Sequence, residues 1–394
     1  MMPPSLLLRC LCIALACGAF PLHAAPYLPT DGKQVVERLP SRRDPVQREL
    51  LRLRTALHDT PNDVKLASAL AQRYIEQARL EGDPRYLGYA EAALAPWWKL
   101  AAPPEPVLVL RATVRQSTHQ FPEALADLDQ AVRRDSDNAQ AWLTRATVQT
   151  ITGDYTAARA SCMRLYSRAP QLVVQTCLAS IANVSGQGPA SYRQLAATLA
   201  AQRDVAPAFR VWVATLLGEM AARAGDTPGA ERYFKQALAV DQADSYLLAA
   251  YSDFLLDQGR AQEVARMLQD KTRADALLLR YALALHALRA DGAAAQVDAL
   301  RARFEAAMLR GDTVHQREQA RFELALRSDP ALAVKLAMLN WDVQKEPADF
   351  RILADAAAAS GDALARALVV NWLKHSGLQD QTVAPALRRL KVAA

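Results

Sequence analysis

His315 and Glu318 stand three residues apart, the spacing at which one helix face offers an imidazole and a carboxylate to a metal ion. The order is the reverse of the Glu-x-x-His arm used by di-iron carboxylate bundles, and no second arm follows. His58, His119, His286 and His375 are scattered, and the chain holds no HExxH and no CxxC pair. A GxSxG elbow, a phosphate-binding GxxxxGK[ST] loop and a dinucleotide-binding glycine fingerprint are likewise missing. GQG at 186–188 precedes Pro189 between two helical stretches and reads as a turn, while Asp135, Asp137 and the Asp291-Gly292 pair read as caps and turns. The expectation is therefore no catalytic residue, no metal, no cofactor and no enzymatic activity. The remaining reactive residues are Cys162 and Cys177, 15 apart and flanking a turn at Ala169-Pro170. An antiparallel hairpin would place them at similar height, which permits one disulfide in an oxidising compartment, with two small buried thiols as the alternative.

The elements that carry these residues read as helices throughout. Of the 394 residues 51% are hydrophobic and 22% charged, enough apolar material for a large core, and only 15 are Gly. Ala, Leu, Arg, Glu and Gln, good helix formers, dominate. β-branched runs are confined to short stretches such as VLVL at 107–110. The class is all-α. Residues 1–25 read as a signal peptide: Arg9, the apolar run LCIALACGAF, and PLHAA with cleavage after Ala24 or Ala25. That run is too short for a permanent span, and no later segment reaches the roughly 20 apolar residues required, so no integral membrane span is expected. Cys17 behind the apolar run offers a second reading, a lipid-anchored envelope assembly component at the outer membrane, although Leu15 sits one place late for a lipobox. Loss of Arg9 takes the net charge from +6 to +5. The arginines are spread along helices rather than gathered in a stripe with aromatics, so nucleic acid is not an expected partner.

The word RATV occurs at Arg111–Val114 and again at Arg145–Val148, 34 residues on. The match extends beyond it: at the same shift Leu108 meets Trp142, Phe121 meets Tyr155, Ala124 meets Ala158 and Leu128 meets Cys162. Each block reads as two amphipathic helices separated by a turn (HQF, GDY) and closed by DSDN or RAPQ. A helix-turn-helix unit of this length resembles the tetratricopeptide repeat, whose pattern is W-x2-L-G-x2-Y, A-x3-F and a closing P. Trp142, Ala146, Ala158, Cys162 and Pro170 occupy the W, G, A, F and P places, with Arg145 and Gln149 departing at the L and Y places. Leu217-Gly218 and Ala230-x3-Phe234 match a later unit, and Leu248, Tyr251, Ser252, Val264 and Leu268 keep the sizes of the next.

The resemblance implies a right-handed superhelical solenoid of antiparallel helix pairs, with small residues (Ala112 and Ala124, Ala146 and Ala158, Gly218 and Ala230) at the close crossings. It implies a solenoid over 44–380; the preceding stretch over 26–43, with its prolines and charges, reads as a flexible lead, and 381–394 reads as a C-terminal tail. The clearest units are 105–138, 139–172, 211–244 and 245–272, with irregular repeats over 275–376. It makes Cys162 a packing residue between units and leans Cys177 toward the groove. It also implies a concave groove lined by the first helix of each unit, with Val109, Thr113, Gln116, Leu143, Thr147, Thr150 and Glu219 as partner-binding candidates. These positions lack the inward Lys and Asn pair of the family's carboxylate clamps, which points to an extended or helical segment of one or more partner proteins. Trp97 and Trp98 divide between packing and contact. Lytic enzymes built on helical superhelices end in a domain with a catalytic Glu followed by Ser, whereas Glu346, followed by Pro347, lies in an expected interhelical turn. The function implied is a non-enzymatic, exported, periplasmic scaffold for protein-protein interaction.

Overall fold

Short acceptor side chains start the helices. Asn138, Asp154, Asp226 and Asp244 each accept the backbone N–H three residues on, at 2.9, 3.0, 2.9 and 3.0 Å, which satisfies one of the orphan donors of a helix N-terminus. The turn inside a unit needs a left-handed residue. Gly153 supplies it at φ +85°, and His119, 34 positions earlier, is held in the same region at φ 59°.

The computed structural model describes residues 44–392 together with 31 and 33; the expected signal peptide, Cys17 and nearly all of the expected lead lie outside the described residues. From residue 50 on, the described residues form one compact contact unit. The helices are α1 (Pro45–Asp59), α2 (Val64–Glu81), α3 (Arg85–Ala93), α4 (Ala95–Trp98), α5 (Glu105–Ser117), α6 (Phe121–Arg134), α7 (Ala139–Ile151), α8 (Tyr155–Met163), α9 (Gln171–Val184), α10 (Gly188–Ala200) and α11 (Pro207–Arg223). There follow α12 (Thr227–Leu238), α13 (Ser245–Asp257), α14 (Ala261–Leu268), α15 (Asp275–Leu288), α16 (Ala293–Leu309), α17 (Gln316–Ala325), α18 (Pro330–Val343), α19 (Pro347–Ser360), α20 (Ala363–Ser376), a 3-10 turn (Gln381–Val383) and α21 (Ala384–Leu390). Among the described residues there is no strand. From α5 onward each odd-numbered helix packs on the even-numbered helix after it and on the next odd-numbered one, so the chain is an all-α array of helix pairs.

The crossings use the small residues. Ala112, Ala124, Ala158 and Ala230 are fully buried and Ala146 is 1% exposed. A Cβ on Gly218 would lie 2.8 Å from Cε1 of Phe234, itself packed against Tyr251 and Phe254. Gly218→Val should therefore overpack this crossing and cost about 1–3 kcal/mol, read as a lower urea midpoint; an unchanged midpoint would refute the placement of the crossing.

One boundary differs from the sequence reading. Residues 381–392 are not a tail: Val383, Ala386, Leu387 and Leu390 recur at helical spacing and, at most 8% exposed, sit in the core with Phe350 and Leu353. Separately, α3 and α4 divide at Leu94, with Pro96 in the first turn of α4.

The array also coils back on itself. Arg79 at the end of α2 pairs with Asp244, the cap of α13, at 2.5 Å, and the Ser245 hydroxyl donates to the Leu80 carbonyl at 2.7 Å. Further along, the Lys345 backbone N–H donates to the Ile151 carbonyl at 2.7 Å, and Tyr155 meets Trp372 edge to face at 6.0 Å. Each contact joins residues more than 160 positions apart and so fixes how far the array turns.

Candidate functional site

The repeat register gathers charges on one side of the first helices of successive units. Glu219 stands one place after the small residue Gly218, and Asp253 stands one place after Ser252, 34 residues later. Both, with Arg223 and Asp257 one turn on, line a cavity of about 240 Å³ walled by α11, α13, α15, α17 and α19. Arg317 with Arg321 and Arg351 with Asp355 repeat the same spacing of four on the opposite wall. Residues four apart share a helix face, so α11, α13, α17 and α19 each present such a pair of charges to the cavity, with Glu318 of α17 and Arg280 of α15 beside them.

The charges satisfy one another. Asp253 accepts from Arg280 at 2.6 Å and from Arg321 at 2.5 Å. Burial alone would raise its carboxyl, but the two guanidinium groups hold it far below the usual carboxylate range. Arg351 forks onto Asp257 at 2.6 and 2.7 Å, bridging α19 to α13 across three units, and Arg389 of α21 reaches Asp355 at 3.2 Å. Arg317 spans Glu318, Glu346 and Asp349 at 3.2, 3.0 and 3.3 Å. Asp349, buried and also bonded to Asn340 and Gln344, is pushed up to about 6 chiefly by desolvation, against the pull of Arg317. Glu219 is the exception. Its nearest partner is the Tyr246 hydroxyl, which donates at 2.8 Å, and burial raises its carboxyl against Arg223 and that hydrogen bond.

The other candidates separate into distinct environments. Val109 is 8% exposed and packs with Leu108, Phe121 and Leu128, so it is a core residue rather than a groove contact: the face of α5 that meets α6 is wide enough to include it. Leu143 is half-buried beside Ala146 and Cys162. Thr113, Thr147 and Thr150 donate to carbonyls of their own helices at 2.9, 3.0 and 2.7 Å, and Gln116 is half-buried. Thr147 is exposed. The remaining candidates on α5 and α7 are thus uncharged, in contrast to the ion-paired wall of α13, α17 and α19. Trp97 and Trp98 are both half-buried, and Arg115 lies 5.9 Å from the Trp98 ring.

Cys162 and Cys177 are joined as a disulfide with Cα atoms 5.8 Å apart. Cys177 is 4% exposed in the α8–α9 contact and does not lean into the groove. Arg111 and Arg145, in the place where the repeat pattern has Leu, also find their reason. Arg111, 4% exposed, forks onto Asp127 at 2.8 and 2.6 Å and donates to the Leu100 carbonyl at 3.0 Å. Arg145 reaches Asp129 at 2.7 Å and Ser161 at 2.7 Å. Each arginine ties its own unit to the preceding one, and the partners Asp127 and Ser161 are themselves 34 apart. That repeated 16-residue offset was the readable signal. The i, i+4 charges of α13, α17 and α19 were another.

No helix among the described residues is long and apolar enough to cross a membrane, and none of their His, Cys, Asp and Glu side chains gather in groups of three or more that could hold a metal ion. No family model matches the chain, and no curated protein matches it. Among solved structures it is similar to the APC/C hetero-tetramer Cut9-Hcn1 at 16% identity, covering 84% of this chain and 60% of that one with a TM-score of 0.47. It is also similar to a tetratricopeptide repeat protein from Parabacteroides merdae (13% identity, 64% and 98% covered, TM-score 0.37) and to yeast Tom70 (13%, 88% and 91%, TM-score 0.33). The chain spans about three fifths of the length of the first of these. On its own 34-residue register, its small residues at the crossings and its left-handed turns, the chain has the fold of a tetratricopeptide-type array of helix pairs.

Proposed function

We propose that this protein is an exported, non-enzymatic scaffold that holds an extended or helical segment of one or more partner proteins on the concave face around α5 and α7. The observation that carries this is the asymmetry of that face. The wall of α13, α17 and α19 is cross-linked by Arg351–Asp257 and Arg321–Asp253, so a ligand there would have to break charge pairs. Thr113, Gln116 and Thr147 hold no ion pair, and a ligand would displace only water from them. Contacts between distant units preset the curvature, which lowers the ordering cost of binding. Export to the periplasm is supported by the leader-like residues 1–25 and agrees with the bonded cysteine pair.

A photo-crosslinking residue at 113 or 147, introduced in the exporting cell, should capture the same discrete partner, and one at the exposed Arg193 of α10 should not. Thr113→Arg with Thr147→Arg should abolish capture from Gln116. Capture of that partner undiminished in the double variant would remove the concave face from the account.

A further inference from the structure

A second surface lies on the side of the second helices, between α6 and α8, and shares no residue with the concave face. It is an open groove of about 410 Å³ lined by Asp129, Arg133, Trp142, Arg145, Ser161 and Arg164, among others. Its floor is fixed. The Trp142 indole N–H donates to the Ser136 carbonyl at 2.9 Å, and Cys162, between the lining residues Ser161 and Arg164, is tied to α9 by the disulfide. Arg145 and Arg164 lie 5.8 and 5.7 Å from the centre of the Trp142 ring. Arg145 is neutralised by Asp129 at 2.7 Å. Arg164 and Arg133 have no carboxylate partner among the described residues, so three arginines face one aspartate and two positive charges remain uncompensated.

We infer that this groove docks a carboxylate-rich segment of a partner protein, gripped by Arg133 and Arg164 over the Trp142 platform. Two exposed guanidinium groups without a carboxylate of their own are suited to forked hydrogen bonds with carboxylates. Nucleic acid fits less well, because single-strand binders offer free aromatic faces in succession along a cationic track. Trp142 is the groove's single aromatic, and its ring already carries two guanidinium groups.

The test is fluorescence anisotropy on the full mature chain with a short labelled peptide of alternating aspartate and glutamate. A lysine peptide of the same length and an oligothymidylate serve as comparison probes. The acidic peptide should bind saturably and lose affinity with added salt. Arg133→Glu with Arg164→Glu should weaken it at least about tenfold, whereas Arg193→Glu, the same change at an exposed site on α10, should leave it within about twofold. If the glutamate pair loses helicity, Arg133→Gln with Arg164→Gln gives the same reading. Failure of the acidic peptide to bind, equal binding by the double variant, or tighter binding of the oligothymidylate would each overturn the assignment. None of these outcomes bears on capture at 113 and 147.

Discussion

Asp127→Ala is expected to lower the unfolding free energy by about 3–5 kcal/mol, among the largest effects of any single substitution in this chain. Asp127 is 3% exposed and receives three short contacts, two from Arg111 and one from Arg115 at 2.6 Å. Arg115 is 20% exposed at its side chain and turns to water when the carboxylate is gone. Arg111 is held in place by the Trp98 and Leu100 carbonyls, which compensate little of a buried positive charge. The counter-experiment separates the charge from the shape. Arg111→Leu with Asp127→Leu removes both members of the pair and puts at 111 the residue type the repeat pattern ordinarily has there. An apolar pair of similar volume is commonly neutral or stabilising relative to a buried ion pair, so most of the loss should be recovered. A urea midpoint unchanged by Asp127→Ala would mean that the pair is solvated and contributes no more than an exposed one.

The same pair shows what the sequence made legible. A 3.6-residue apolar period and a 34-residue repeat are local and recurrent, so the helix pairs from α5 to α14 and the small residues at their crossings could be read directly. Arg111 and Asp127 lie on two helices of one unit, beyond the window in which a single helix shows its pattern, and only the parallel offset from Arg145 to Ser161 marks them. The repeat pattern puts Val109 in the groove because it assigns each helix face a nominal centre, whereas packing of Phe121 and Leu128 against α5 widens the buried stripe to include it. The contacts of Arg79 with Asp244 and Lys345 with Ile151 have no local signature at all. They depend on the accumulated twist of five or more units, a quantity that small rotations at every interface determine together. The closing of the wall of α13, α17 and α19 by Arg351 and Asp257, 94 residues apart, was unreadable for the same reason, although the charges themselves were in view.

Reduction of the Cys162–Cys177 bond is expected to remove about 3 kcal/mol, the loop-closure value for a bridge spanning some 15 residues. The bond joins α8 to α9, the last helix of one unit to the first of the next, at an interface filled by Leu165, Val174 and Ile181. In an array where each unit is held by its neighbours, the loss falls on that interface first. Urea unfolding of the reduced chain should therefore begin earlier than that of the oxidised chain, and hydrogen exchange should locate the added opening in α8 and α9 while α13 to α19 keep their protection. Cys162→Ala with Cys177→Ala should reproduce the reduced behaviour, since both sulfurs sit in apolar surroundings that an alanine pair leaves otherwise intact. Coincident unfolding of the oxidised and reduced chains would show that the packing of α8 on α9 holds the two units together without the bond. Loss of protection spread evenly over all units would show instead that the array unfolds as one cooperative body, because opening stays local only where the coupling between units is weak, and the contacts of Lys345 with Ile151 and Tyr155 with Trp372 add coupling between distant ones.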